Sequence, residues 1–278
     1  MTRAYRSAVL NASADAVWAL VGDFHGLANW LPGVEKSEPL EGGAKRRLST
    51  RDGHFVVERL VGKDDAARRV DFEVLESQLP TQNYFGTWRV TPQADGTSLF
   101  EWFAEFEPRG VSEGSAIGRA QRSYQNGIRA LIKRFGGQFV QGSVTLEIPA
   151  PAKAVWAVVG DFHGLPKWLT SLASSEPLED GRVRRVVAHG GKGTMVERLA
   201  VMDDDAMSYA YVLESAPMPV RNYLATARVQ PKDAQSCEVT WSFEFEPIGT
   251  PPEKALANAE KCYRFLLGNL KAYFSRAG

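Results

Sequence analysis

Apolar and polar residues alternate over positions 4–10 and again over 143–148, the period-two pattern of a strand with one buried face. A short helix is predicted after each run, starting near Ser13 or Pro151 and carrying Trp18 or Trp156. Asp23 and Asp161 stand where they would cap a second short helix bearing Trp30 or Trp168, which Pro32 ends in the first case. Turn residues then mark off about six strands in each stretch. These turns are Glu41-Gly42-Gly43, Asp52-Gly53, Lys63-Asp64-Asp65 and Ala94-Asp95-Gly96, with Asp180-Gly181, Gly190-Gly191 and Asp203-Asp204-Asp205 later. Each series closes with a polar helix that carries one apolar stripe. Ile117, Tyr124, Ile128, Leu131 and Phe135 form the first stripe; Leu256, Tyr263, Leu267 and Leu270 form the second.

The pattern is one unit written twice. AVWALVGDFHGL at residues 16–27 returns as AVWAVVGDFHGL at 154–165, an offset of 138. SEPLE recurs at Ser37 and Ser175, VERL at Val57 and Val196, VLES at Val74 and Val212, Asn-Tyr at Asn83 and Asn222, and FEP at Phe106 and Phe245. The offset reaches 139, which is read as a short insertion near Met218. The boundary is placed in the glycine-bearing stretch 136–142, giving domains 1–139 and 140–278. Two long copies make two domains, not a solenoid. Each is expected to be α+β: a curved antiparallel sheet wrapped around a long C-terminal helix, with two short helices after the first strand. The two are expected to pack together as a pseudo-dimer.

Alternation also sorts the faces. Tyr84, Gly86, Trp88 and Val90 share one side, as do Trp102, Ala104 and Phe106 opposite Glu101 and Glu105. Tyr223, Ala225, Ala227 and Val229, then Trp241, Phe243 and Phe245, repeat the choice. Small residues at Gly86 and Ala225 are expected to leave room, and a bent sheet cannot touch one helix along its whole inner surface. An apolar cavity in at least one copy is therefore expected, against the alternative that the large rings fill the space. The ligand-facing set is Trp30, Trp88, Trp102, Gln121 and Tyr124 in the first copy, and Trp168, Met195, Trp241, Phe243, Glu260 and Tyr263 in the second. Gln121 and Glu260 occupy matching positions, so the two cups are expected to differ chemically.

Val56, Glu58 and Leu60 share a face, as do Met195, Glu197, Leu199 and Val201, which points Glu58 and Glu197 inward. A carboxyl among such neighbours is desolvated and its pKa raised, which suits proton transfer. The same glutamate could instead pair with an arginine, since structural pairs perturb carboxylates too. Tyr84, Tyr223, Tyr124 and Tyr263 each offer a phenol to a ligand carbonyl or enolate.

Charge and composition remove several classes. Lys+Arg and Asp+Glu are equal at 33 each, and no basic run occurs, so a nucleic-acid partner is not expected. No apolar stretch approaches the roughly 20 residues that cross a bilayer. The first residues lack the apolar block of a secretory signal, which suggests the cytoplasm. Cys237 and Cys262 are read as two reduced, buried thiols. His25 and His163 each stand alone, so no metal is expected. No cofactor is implied either: a nucleophile elbow and a phosphate loop are missing, and Gly22, Gly26 and Gly33 are spaced wrongly for a dinucleotide.

Several stretches together resemble a known family: VWALVGDFHGLANWLP, VERL, Asn83-Tyr84 and the strand from Trp102 through Phe106-Glu107-Pro108. In the second copy they are VWAVVGDFHGLPKWL, VERLAVMDDD, PMPVRNYLATARV and WSFEFEP. With the order of elements, these resemble the SRPBCC superfamily, the helix-grip fold of START lipid-binding domains and birch-pollen-allergen-like proteins. Within it the likeness is to bacterial polyketide cyclase/dehydratase-like proteins, over nearly the whole chain, twice. The resemblance implies a hydrophobic small-molecule ligand or substrate and leaves the class of function open. One possibility is a cyclase, aromatase or dehydratase acting by proximity, with Glu58 or Glu197 moving a proton and Tyr84 or Tyr223 holding the oxyanion. Another is a lipid or aromatic-metabolite carrier or sensor; a third is a pair in which one copy binds and the other scaffolds. Many proteins of this resemblance carry His after the helical Trp, where this chain has Leu31 and Leu169, so no role is carried over there.

Overall fold

The alternating runs and turns become strands and hairpins in the computed structural model, which describes residues 1–191 and 193–276; residues 192 and 277–278 of the second domain lie outside it. Contacts divide the chain into Met1–Gly137 and Gln138–Gly278. The first unit runs β1 (Thr2–Leu10), α1 (Ala14–Val21), a 3-10 turn (Phe24–Asn29), β2 (Val34–Leu40), β3 (Lys45–Thr50), β4 (Phe55–Asp64), β5 (Arg69–Ser77), β6 (Thr81–Pro92), β7 (Ser98–Pro108) and α2 (Glu113–Arg134). The second repeats it: β8 (Val140–Ile148), α3 (Ala152–Val159), a 3-10 turn (Leu165–Lys167), β9 (Leu172–Leu178), β10 (Val183–Ala188), β11 (Thr194–Asp203), β12 (Ser208–Ser215), β13 (Val220–Pro231), β14 (Cys237–Pro247) and α4 (Pro252–Arg276). Each sheet has 7 strands, in the orders β1-β7-β6-β5-β4-β3-β2 and β8-β14-β13-β12-β11-β10-β9. All pairings are antiparallel, and one long helix lies along each sheet, so both units are α+β helix-grip domains.

Local chemistry accounts for the helix ends. Ser13 Oγ accepts from the Ala16 amide at 3.3 Å, and Ser112 Oγ from the Ser115 amide at 3.3 Å, each meeting one of the donors that a helix start leaves unpaired. Asp23 and Asp161 accept from the His25 and His163 amides at 2.9 and 3.2 Å, the capping role their positions predict. The stripes seat the long helices: α2 buries Ile117, Tyr124, Ile128 and Leu131, and α4 buries Tyr263, Leu267 and Leu270. At about 1.5–3 kcal/mol per fully buried large apolar side chain, these few contacts outweigh intrinsic helix propensity. Phe135 and Leu256 sit at the stripe margins, half-buried.

Four details depart from the sequence expectation. Residues 140–142 are not linker but the start of β8, and Gly142 is small because a Cβ there would stand 2.6 Å from Phe243 Cζ. The extra residue of the second copy falls in the β10–β11 hairpin, not near Met218: Arg46 and Glu58 are 12 apart and face each other, whereas Arg184 and Glu197 are 13 apart. Glu58 then pairs with Val74 but Glu197 with Leu213, so the two VLES segments sit one residue out of register. A bulge between Leu199 and Val201 carries Met202, instead of Val201, onto the core. Of the two free cysteines, Cys237 is buried but Cys262 is exposed on α4, so the pair is not alike. Among the described residues no helix is long and apolar enough to cross a membrane.

Candidate functional site

The inward face of the first sheet is filled by rings. A Cβ on Gly86 would stand 2.3 Å from Phe72 Cζ, so the ring of its cross-strand partner takes the room that the glycine was expected to leave. Trp30 meets Trp88, Phe100 and Trp102 at centroid separations of 6.1, 5.9 and 5.5 Å, all edge-on. Trp102 stacks on Tyr124 at 4.5 Å, and Tyr84 lies flat against Phe106 at 5.5 Å. The Tyr84 and Tyr124 hydroxyls hydrogen-bond each other, and burial pushes both phenols above their ordinary range.

The second cup places its large rings by a different route. The cross-strand pair Val70–Trp88 becomes Tyr209–Ala227, and Phe72–Gly86 becomes Tyr211–Ala225. The large ring therefore comes from the neighbouring strand: Tyr209 meets Trp241 edge-on at 5.9 Å, as Trp88 meets Trp102 at 5.9 Å. The exchange brings hydroxyls inside. Tyr263 Oη lies 2.5 Å from Tyr223 Oη and 3.3 Å from Tyr211 Oη. Three donors share two such contacts, so at least one proton remains to be given elsewhere. Burial raises Tyr211, Tyr223 and Tyr263, and pushes Tyr209 to about 12, so all stay neutral donors at ordinary pH.

Glu58 and Glu197 point inward, and each meets an arginine. Arg46 Nε donates to Glu58 Oε2 at 2.6 Å, while Nη2 lies 2.5 Å from that oxygen without a hydrogen-bonding angle. Arg184 Nε donates to Glu197 Oε2 at 2.5 Å. The other arm of each guanidinium donates to the Phe24 or Phe162 carbonyl, and the phenyl ring of that residue lies 4.0 Å beneath the charge. Arg184 is held above its ordinary value: desolvation, the largest influence, opposes this and is outweighed by Glu197, Tyr209 and Tyr211 together. These pairs give GDFHGL a structural meaning. Asp starts the turn, Phe cradles the arginine with ring and carbonyl, and His Nε2 meets the Gly43 or Gly181 carbonyl at 3.1 or 2.9 Å. A side chain on Gly26 or Gly164 would strike Asp23 or Asp161.

Sequence reasoning missed Arg46 and Arg184, although each recurs as the first of an Arg-Arg pair, 138 apart. It also missed why Asn-Tyr and FEP recur together. Asn83 and Asn222 adopt φ of 51° and 54° at a bulge, donate to Glu107 and Glu246 at 3.0 Å each, and so aim Tyr84 and Tyr223 into the cup. Of the remaining candidates, Gln121 is buried and reaches the Tyr5 carbonyl at 3.5 Å, tying α2 to β1. Glu260 is half-buried and accepts from Arg264 at 3.3 Å. Met195 packs half-buried on the second core, and Trp168 contacts Trp241 at 6.5 Å.

Two indole N–H groups at matching positions, Trp102 Nε1 and Trp241 Nε1, are buried with no acceptor among the described residues. Two clefts lie at the margins. A cleft of about 440 Å³ in the first unit is lined by Trp18, Asp23, Phe24, His25, Lys63 and Asp65 among others. One of about 320 Å³ in the second is lined by Lys167, Trp168, Thr170, Asn269, Ala272, Tyr273 and Arg276. Neither is lined by Tyr84, Trp102 or Tyr124, nor by Tyr223, Trp241 or Tyr263.

Among curated proteins none matches this chain. Solved structures similar to it include XoxI from Bacillus cereus, 34% identical over 49% of this chain and 96% of its own, with a TM-score of 0.48. The di-domain ARO/CYC BexL of the BE-7585A biosynthetic pathway is 19% identical over 98% of both chains, TM-score 0.43. The Zhui aromatase/cyclase from Streptomyces sp. R1128 is 22% identical over 50% of this chain and 95% of its own, TM-score 0.43. Residues 1–136 and again 140–275 match the family described as polyketide cyclase/dehydrase and lipid transport, and this chain belongs to that family, once in each repeat.

Proposed function

We propose that this chain binds an apolar, oxygen-bearing small molecule, polyketide- or lipid-like, inside a helix-grip cup, and carries or senses it without changing it. The observation that supports this most is the excess of donors in an aromatic interior. Among the described residues Trp241 Nε1 has no acceptor, and the hydroxyls of Tyr211, Tyr223 and Tyr263 keep at least one proton in hand. A buried donor without a partner costs about 1–3 kcal/mol, which a ligand carbonyl would recover. Room for it comes from side-chain movement: Met195, Met202, Met207 and Tyr223 line the second core half-buried, and methionine adapts at little cost. Both inward glutamates are held by arginines, so neither is free for proton transfer, which favours carriage over turnover.

The reading is tested by titrating 1,8-dihydroxyanthraquinone and oleate while following tryptophan fluorescence. Saturable binding is expected, weakened about tenfold by Trp241→Phe, the equivalent of 1.4 kcal/mol. Saturation by neither compound rejects the proposal. A second reading, cyclisation, draws on the Tyr223–Tyr263 contact at 2.5 Å, which would hold a developing oxyanion. A poly-β-ketone recovered still linear supports carriage; recovery as a ring beyond the protein-free control, at unchanged mass after aldol closure or lighter by one water after dehydration, supports the cyclase.

A further inference from the structure

The repeats also differ where the long helix meets the segment before β2 or β9. In the first unit a Cβ on Gly127 would meet Leu31 Cδ1 at 3.0 Å and the Trp30 and Trp102 rings at 3.2 Å, so the α2 backbone closes directly onto the rings. Tyr124 and Tyr263 are equivalent, since each hydroxyl meets the tyrosine of the Asn-Tyr pair. Three residues further along stands Leu266 in place of Gly127, half-buried against the second core. α4 therefore presents a side chain where α2 presents only backbone. The helices also end differently: α2 stops at Arg134, the equivalent of Tyr273, whereas α4 continues to Arg276.

The cleft of about 320 Å³ lies at this place, with Lys167, Trp168 and Thr170 on one wall and the last turns of α4 on the other. Its lining contains two cations and no carboxylate. Lys167 gives one bond to Asp161 at 2.6 Å and has two further hydrogens; Arg276 has no acidic partner among the described residues. Behind the cleft the rings form a line, Trp168 to Trp241 at 6.5 Å and Trp241 to Tyr263 at 6.0 Å, ending at the hydroxyl cluster.

Building on the binding role above, we propose that the second repeat alone admits ligand, and that its mouth holds the anionic end of an amphiphile. Lys167 and Arg276 take a carboxylate or phosphate, as ammonium and guanidinium groups do. The apolar body runs past Trp168 toward Tyr263, and the first repeat, shut by Gly127, is the scaffold.

The probe is 11-(dansylamino)undecanoic acid, compared with its methyl ester on the full chain. One acid molecule per chain is expected to bind, and Lys167→Gln with Arg276→Gln to weaken it about tenfold while leaving the ester within about twofold. Lys133→Gln with Arg134→Gln, at the equivalent end of α2, leaves both unchanged. Displacement by laurate, by dodecyl phosphate or by both supports the site and assigns its head group. Two molecules per chain, or equal weakening of acid and ester, or no weakening at all, overturns the inference while the binding role stands. Binding of neither probe overturns the inference, and the binding role falls with it only if the anthraquinone and oleate also fail to saturate.

Discussion

Removing one member of the buried Arg46–Glu58 pair should cost far more than removing both. Arg46 has no exposed surface and the Glu58 side chain only 8%, so neither charge can turn to water when its partner is lost. Arg46→Leu strands a carboxylate and also leaves the Phe24 carbonyl without its donor. Breaking such a pair from one side costs about 3–5 kcal/mol, whereas exchanging both members for apolar residues is often neutral or better. With a urea slope of about 2 kcal/mol per molar for a unit of this size, the single variant should unfold about 1.5–2.5 M earlier. Two domains need not melt together, so unfolding is followed by hydrogen-exchange mass spectrometry on peptides of each unit separately. Arg46→Leu, Glu58→Leu and the double variant complete the cycle, and the expected coupling is above about 2 kcal/mol, with the second unit unmoved. Single variants that each cost under about 1 kcal/mol and simply add would refute the structural role and return Glu58 to the catalytic candidates.

The cross-strand exchange gives a second prediction: Trp88→Ala alone should cost about 3–5 kcal/mol, and adding Val70→Tyr should restore about half or more, because the ring then arrives from β5 as it does in the second unit. No recovery in urea midpoint would contradict it. The tyrosines give an alkaline limit. Burial holds Tyr209 at about 12 against 10.0 unfolded, so between these values the unfolded chain has released a proton that the folded chain keeps. Stability present below pH 10 is therefore lost as pH rises to 12, and Tyr209→Phe should flatten the fall in midpoint between pH 10 and 12. Finally, Cys262 is exposed while burial pushes the Cys237 thiol to about 11, so a native sample at pH 8 should release one equivalent of thionitrobenzoate quickly; two fast equivalents would contradict the burial.

The sheet, the long helix and the doubling were legible because each follows a period that a linear chain displays. Alternation of two sent Tyr84, Trp88 and Trp102 inward, and spacings of three and four placed Tyr124, Ile128 and Leu131 on one stripe. The same periods turned Glu58 and Glu197 inward. What they would meet there was not legible, because a strand position fixes a face and not a neighbour. Arg46 reaches Glu58 only through the β3–β4 pairing, and the Phe24 carbonyl that completes its shell comes from a turn 22 residues earlier.

By itself the sequence determined two helix-grip domains, their inward aromatic faces and the positions of their caps, since backbone sterics and hydrophobic periodicity act over a few residues. Only the tertiary structure decided whether those faces enclose space. Glycine at position 86 reads as a gap until Phe72 is seen lying across it, and Ala227 reads as a hole until Tyr209 fills it from the next strand. Volume inside a closely packed core is shared among strands distant in sequence, so its accounting exists only once they are paired.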